Sequence, residues 1–204
     1  MARRSTPRKV FVLATANPDK AAEIRAILAQ VKPRLELMPR PDDVPEVDET
    51  GATLEDNARL KAVALALATG LPAISDDTGL EVAALRGAPG VMSARYASDH
   101  ATYKENVAKL LGSLVGVTDR RARFRTVAMV RWPDGREVAA EGLVEGRIAE
   151  TARGDTGFGY DPVFEPAGGR GLTFAELGPE AKHRLSHRGA AFRALAEKLA
   201  TEPR

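Results

Sequence analysis

The chain has 204 residues, 44% of them hydrophobic and 28% charged, enough for one large domain with a sizeable core. Its 30 Lys and Arg stand against 28 Asp and Glu, so the net charge of +2 supplies no global field that would demand a nucleic acid or a membrane surface. The absence of cysteine excludes disulfides, thiolate zinc sites and thiol nucleophiles, and fits a cytoplasmic setting.

Residues 1–8 are basic and precede an apolar run too short for a signal sequence, so they are read as a disordered tail, with 9–204 as a single domain. No stretch approaches the roughly 20 apolar residues of a membrane span. Residues 9–14, K-V-F-V-L-A, form a continuous apolar run of the kind found in a buried parallel strand. Asn17 then suits a helix N-cap and Pro18 the first helical position, while Ile24, Ile27, Leu28 and Val31 recur at helical spacing. The segment T-A-N-P-D-K therefore lies over a helix N-terminus, where free amides and the helix dipole favour an anion, with Thr15, Asn17 and Lys20 at hand. A merely well-capped helix explains the hexapeptide equally well.

Residues 39–45 are rich in proline and acid and read as loop. Thr53 and Asp56 make a capping-box pattern for a helix that buries Leu54, Ala58, Ala62 and Leu65 and stops at Gly70. Asp48 and Glu49 precede that helix and can face a cleft or solvent; Lys61 within it can point to phosphate or to water. The short apolar run 71–74 is expected to end at Asp76 and Asp77, followed by Thr78, Gly79 and a second turn on Gly87, Pro89 and Gly90. Successive strand residues point to opposite faces, so the two carboxylates should not share one proton. One of them is expected to face a cleft, where it can take a proton from water or hold a hard cation. The alternative is an Asx-turn that caps local amides.

Val107, Leu110, Leu111 and Leu114 mark another amphipathic helix. Arg121, Arg123 and Arg125 alternate with Ala122, Phe124 and Thr126 at strand periodicity, read as a solvated edge that discourages pairing. The strand turns at P-D-G and returns over residues 138–148 as a long hairpin. In T-G-F-G-Y-D-P-V-F, the glycines beside Phe158 and Tyr160 let the backbone approach a ligand on which an aromatic ring can stack; a packed turn is the alternative. The last helix turns Phe192, Leu195 and Leu199 inward and is capped by Ser186. His187 and Arg188 in its first turn oppose the helix dipole, so a compensating anion or hydrogen-bonding ligand is expected there.

Five motifs occur in order: T-A-N-P-D-K, E-T-G-A-T-L-E-D-N-A, S-D-D-T-G-L through G-A-P-G-V-M-S-A-R-Y-A, G-F-G-Y-D-P-V-F, and a lysine four residues ahead of S-H-R-G. Together, over about residues 10–199, they closely resemble the inosine triphosphate pyrophosphatase family, which hydrolyses nonstandard purine nucleoside triphosphates such as dITP, ITP and XTP. The resemblance implies an α/β fold with two lobes around a central mixed sheet, a substrate cleft between them, a homodimer, and Mg2+-dependent cleavage between the α and β phosphorus atoms. It implies that Thr15, Ala16, Asn17, Pro18, Asp19 and Lys20 hold the triphosphate, and that Asp77 is the proton acceptor and a metal ligand. It makes Asp48 a second metal carboxylate, with Glu49 beside it as the competing candidate. Thr78, Phe158, Gly159, Tyr160, Asp161, Lys182, His187 and Arg188 become substrate contacts, and Lys61 a phosphate contact.

The chain departs from the family pattern at Ala16 and Thr78, where glycine and serine are usual, and at Leu54 and Asp56, where phenylalanine and glutamate are common. Ala16 is expected to alter affinity, because a Cβ can crowd a loop that approaches phosphate. Donors around His187 and Arg188 would suit a 6-keto purine and be left unpaired by adenine. The competing readings are a pyrophosphatase preferring dTTP or UTP, a nucleotide-binding module without turnover, and a nucleic-acid binder using Arg3, Arg4 and the arginine strand.

Overall fold

The computed structural model of the protein describes residues 10–31 and 35–201, so the expected tail at residues 1–8, with Lys9, lies outside the described residues. The first apolar run is strand β1 (Val10–Leu13), followed by helix α1 (Pro18–Leu28), whose N-cap is Asn17. Strand β2 (Glu36–Met38) is too short to carry a periodic signal. Helix α2 (Leu54–Thr69) starts at Thr53, whose hydroxyl accepts the Asp56 amide, and stops at Gly70, which takes the left-handed conformation at φ 66°. Strand β3 (Ala73–Val82) and the two-residue strand β4 (Pro89–Gly90) lead to helix α3 (Tyr103–Ser113), closed by a reciprocal capping box between Thr102 and Glu105. The hairpin β5 (Arg121–Arg131) and β6 (Glu137–Ile148), strand β7 (Phe164–Pro166), and helices α4 (Pro179–Leu185) and α5 (His187–Thr201) complete the fold.

The strands form one mixed sheet in the order β2-β1-β3-β5-β6-β7, with β4 attached to β3. Strands β2, β1 and β3 run parallel, and the rest pair antiparallel. Two expectations fail here. The apolar run 71–74 does not end at the aspartates: β3 continues straight through them, because β5 pairs with it from Ala73 to Val82, including Asp76 with Ala128 and Asp77 with Val127. The arginine strand is no edge either, since β5 lies between β3 and β6. Its positive side chains are tolerated inside the sheet because acids stand beside them: Arg123 and Arg125 reach Glu81 at 2.6 and 3.2 Å, Arg125 also reaches Glu141 at 2.9 Å, and Arg121 reaches Asp119 at 2.7 Å.

On its other side β3 is only partly matched. Strand β1 pairs with Ala73 and Ile74, and β4 pairs with Leu80 and Glu81. Among the described residues, positions 75–79 have no strand neighbour on that side. They also lie between two apolar cores, one built around Phe11, Ile24, Ile74 and Phe192, the other around Leu80, Leu110, Phe124 and Phe164. A polar gap between two cores is where a cleft can open without a loss of apolar burial. Helix α5 covers the sheet so closely that a Cβ on Gly142 of β6 would stand 2.1 Å from the carbonyl oxygen of His187. Only glycine allows that approach. No helix among the described residues is long and apolar enough to cross a membrane.

Candidate active site

The gap in β3 opens into a cavity of about 210 Å³ lined by Asp77 and Thr78, by Asn17 and Lys20 from the entrance of α1, by Phe158 from the glycine-rich loop, and by His187 and Arg188 from the start of α5. Alternation along β3 separates the two aspartates. Asp76 shares a side with Thr78, whose hydroxyl lies 3.3 Å from Asp76 Oδ2. Asp77 turns the other way, where Asn57 Nδ2 donates to it at 3.2 Å and Lys61 Nζ at 3.3 Å. The same ammonium donates to Glu49 at 2.6 Å.

Their environments push the carboxylates apart. Burial alone would raise the pKa of Asp76, but the Lys20 ammonium and the Arg188 guanidinium overcome it and hold the group well below the usual carboxylate range. For Asp77 burial wins over Lys61 and Lys20, and its pKa is raised. Two acids with opposed shifts in one site take different roles. Asp76 remains a permanent anion, and Asp77 is the group closer to accepting a proton.

Asp76 belongs to a buried ladder of alternating charge. Arg188 Nε donates to it at 3.2 Å and Lys20 stands 3.9 Å away. Arg188 also donates to Glu23, which pairs with Lys182 at 3.2 Å; Lys182 in turn donates to Asp161 at 2.7 Å. The charge expected to need compensation at the start of α5 is thus balanced within the protein, by Asp76 and Glu23. Asp161 also accepts the amide of Phe158 at 2.8 Å, which fixes the loop that carries the ring. Lys182 Nζ and the Arg188 guanidinium lie over that ring at 4.8 and 5.5 Å. Tyr160 is only 5% exposed, with its hydroxyl donating to Ser93 O at 2.9 Å, so it walls the cavity and is not a free stacking ring.

The hexapeptide near the start combines both of its readings. Asn17 Oδ1 accepts the amides of Asp19 and Lys20 at 2.9 and 3.1 Å, and its own carbonyl accepts the Ala21 amide, so these amides are capped by the helix itself. What faces the cavity is the Lys20 ammonium and the Asn17 side-chain amide. That amide donates to the Tyr103 hydroxyl at 2.9 Å, and Tyr103 donates to Asp19 at 3.2 Å.

The cavity also takes in Gly159, Tyr160 and Asp161. Other expected residues lie elsewhere. Thr15 and the exposed Ala16 line a separate hollow behind the loop, so the Ala16 Cβ does not enter the cavity. Pro18 opens α1, and Asp19 and Lys182 border an outer hollow. Lys61 is 8% exposed and reaches the site only through Glu49 and Asp77. Asp48 is exposed, whereas Glu49 lines the cavity. Of the two neighbours Glu49 is the one turned toward the cavity: Lys61 draws its carboxylate inward and Arg95 fixes its carbonyl at 2.8 Å. Glu23, Tyr103 and Thr126 carried no sequence signal beyond periodicity.

Among the described residues no three His, Cys, Asp or Glu side chains cluster as a metal cage. Three carboxylates line the cavity, Asp77, Glu49 and Asp161, and two of them, Asp77 and Glu49, are drawn together by the Lys61 ammonium. That donor set fits Mg2+, which is commonly held by one or two carboxylates and completed by phosphate oxygens and water.

A sequence profile of the Ham1 family matches residues 11–198. A dITP/XTP pyrophosphatase of Lactiplantibacillus plantarum is 45% identical over 95% of this chain and 96% of its own. One of Methylococcus capsulatus is 48% identical over 94% and 96%. A HAM1 protein of Coxiella burnetii has a similar solved structure, with a TM-score of 0.84 and 39% identity over 95% of this chain and 99% of its own.

Proposed function

The chain belongs to the Ham1 family, and on that premise we propose that it hydrolyses nonstandard purine nucleoside triphosphates, dITP, ITP or XTP, to the monophosphate and pyrophosphate in the cavity of β3. The observation that carries the assignment is that Asp77, a carboxylate whose pKa burial raises, and the Lys20 ammonium line one hollow with His187 and Arg188.

Lys20 and the Asn17 amide, once Tyr103 releases it, hold the triphosphate. Phe158 offers its ring to the base, and His187 and Arg188 meet the base edge. Asp77 orients a water for in-line attack on the α phosphorus and takes its proton as the new O–P bond forms and the bond to the pyrophosphate oxygen breaks. Mg2+ held by Asp77 and Glu49 would neutralise phosphate charge and stabilise the leaving pyrophosphate. The fixed charges of Lys20 and Arg188 are already in place before reaction, so little reorganisation is needed. A cytoplasmic homodimer acting on the free nucleotide pool completes the reading.

Product analysis tests it. Wild-type protein with dITP and Mg2+ should release dIMP and pyrophosphate, and Asp77→Asn should lose at least about 100-fold in kcat. Release of orthophosphate, equal kcat/KM for dTTP or UTP, or full activity in Asp77→Asn would overturn the assignment.

A further inference from the structure

A neutral imidazole is a donor at one nitrogen and an acceptor at the other, so the placement of a single proton decides which base edge it can meet. His187 is buried, and burial together with Arg188 and Lys182 holds its pKa well below the ordinary value, so the ring is neutral. Its Nδ1 lies 2.6 Å from Thr126 Oγ1, which lies 2.7 Å from Thr78 Oγ1. Arg188 Nη2 donates to that Thr78 oxygen at 3.1 Å.

The chain has a direction. A guanidinium can only donate, so Thr78 accepts from Arg188 and has one proton to give. One acceptor is Thr126 at 2.7 Å, the usual hydroxyl-to-hydroxyl length. The other is Asp76 Oδ2 at 3.3 Å, where a hydroxyl–carboxylate bond would be about 2.5–2.7 Å. Asp76 Oδ2 already accepts from Arg188 Nε and stands 3.9 Å from the Lys20 ammonium, while Oδ1 has no hydrogen-bond partner among the described residues. The Thr78 proton therefore goes to Thr126, and Thr126 gives its own to Nδ1 of His187. The ring proton is left on Nε2, which has no hydrogen-bond partner among the described residues, while His187 lines the cavity.

We infer that Thr126 is a positioning residue for base selection: by donating to Nδ1 it makes His187 a donor at Nε2, which pairs with a purine carrying oxygen at C6 and opposes one carrying an amino group there. Thr126 is fully buried in β5 and acts only through His187. The inference deepens the proposed function and rests on it for the identity of the ligand. It separates 6-keto from 6-amino purines and leaves selection at the 2-position to other groups.

Two-bond proton–nitrogen correlation spectra of protein labelled with 15N-histidine read the tautomer directly. His187 is one of three histidines and is assigned from its absence in His187→Gln. The expected wild-type spectrum shows a protonated Nε2 and a bare Nδ1. In Thr126→Val the second tautomer should appear, and kcat/KM for dITP relative to dATP should fall about 10-fold, the loss expected for one hydrogen bond. Thr126→Ser should restore both. A proton on Nδ1 in the wild type, or an unchanged ratio in folded Thr126→Val, would overturn the inference. If the valine variant does not fold, the wild-type spectrum and the serine variant still decide it. Failure of the wild type to hydrolyse dITP would sink the proposed function instead, with the tautomer still readable.

Discussion

Lys61→Met isolates the electrostatics of the site. The ammonium donates to Glu49 at 2.6 Å and to Asp77 at 3.3 Å, and Lys61 is 8% exposed. Methionine keeps the unbranched stem of the side chain without the ammonium and leaves two carboxylates facing each other across the gap. Breaking a buried pair by removing one partner costs about 3–5 kcal/mol. Glu49 is still partly exposed and can relax toward water, so the lower value, about 3 kcal/mol, is expected. For a chain of this size that corresponds to a fall in Tm of roughly 6–12 °C. Because the injury is uncompensated negative charge, excess Mg2+ without nucleotide should recover part of it, and should stabilise the variant more than the wild type. Thermal melts of both proteins with chelator and with Mg2+ measure this. A loss under about 1 kcal/mol, or an equal response of the two proteins to Mg2+, would refute the view that Lys61 holds these carboxylates together and that a cation can replace it.

His187 sets an acid limit on stability. Its folded pKa is depressed below 6.5, so at mildly acid pH the unfolded chain binds the extra proton and the folded one does not. Stability should therefore be fully present above about pH 6.5 and fall as pH drops below it, by at most about 1.4 kcal/mol per pH unit. Denaturant melts between pH 7.5 and about 5 should show that slope in the wild type, and its persistence in His187→Gln would assign it elsewhere. Gly142→Ala puts a methyl 2.1 Å from the His187 carbonyl and 2.3 Å from the Ala191 amide nitrogen, so α5 must shift. Overpacking of this kind costs about 1–3 kcal/mol. Activity should fall more than stability, because His187 and Arg188 ride on that helix; unchanged kcat/KM would show that the contact does not position them.

Local chemistry made several elements legible before the structure. The cap at Asn17, the stop at Gly70, the P-D-G hairpin and the alternation that parts Asp76 from Asp77 all follow from backbone rules acting over a few residues. Pairing partners were not legible. The arginines of β5 look like an edge until Glu81 and Glu141 are placed beside them, and those acids lie 44 and 16 residues away in sequence from Arg125. Nor does a continuation of β3 through two aspartates follow from hydropathy, because it depends on the ladder with β5. In the site, the inward turn of Glu49 depends on Lys61, and the contacts of Glu23 and Thr126 span 165 and 61 residues. Residue types at short spacing reveal which groups are available, while long-range pairing decides which of them meet.

The half-matched edge of β3 has a meaning for association as well as for chemistry. A length of strand with a ladder on one side only is a template on which another extended chain can form hydrogen bonds. Two charged side chains and a hydroxyl occupy its middle, and buried or inward-pointing charge is one of the ways sheet proteins discourage such docking. Carboxylates thus stand at the one stretch of β3 where such docking would have to begin, a stretch the fold also keeps buried. Replacing Asp76 and Asp77 together by apolar β-formers should leave a protein that is not only inert but prone to self-assembly as it folds.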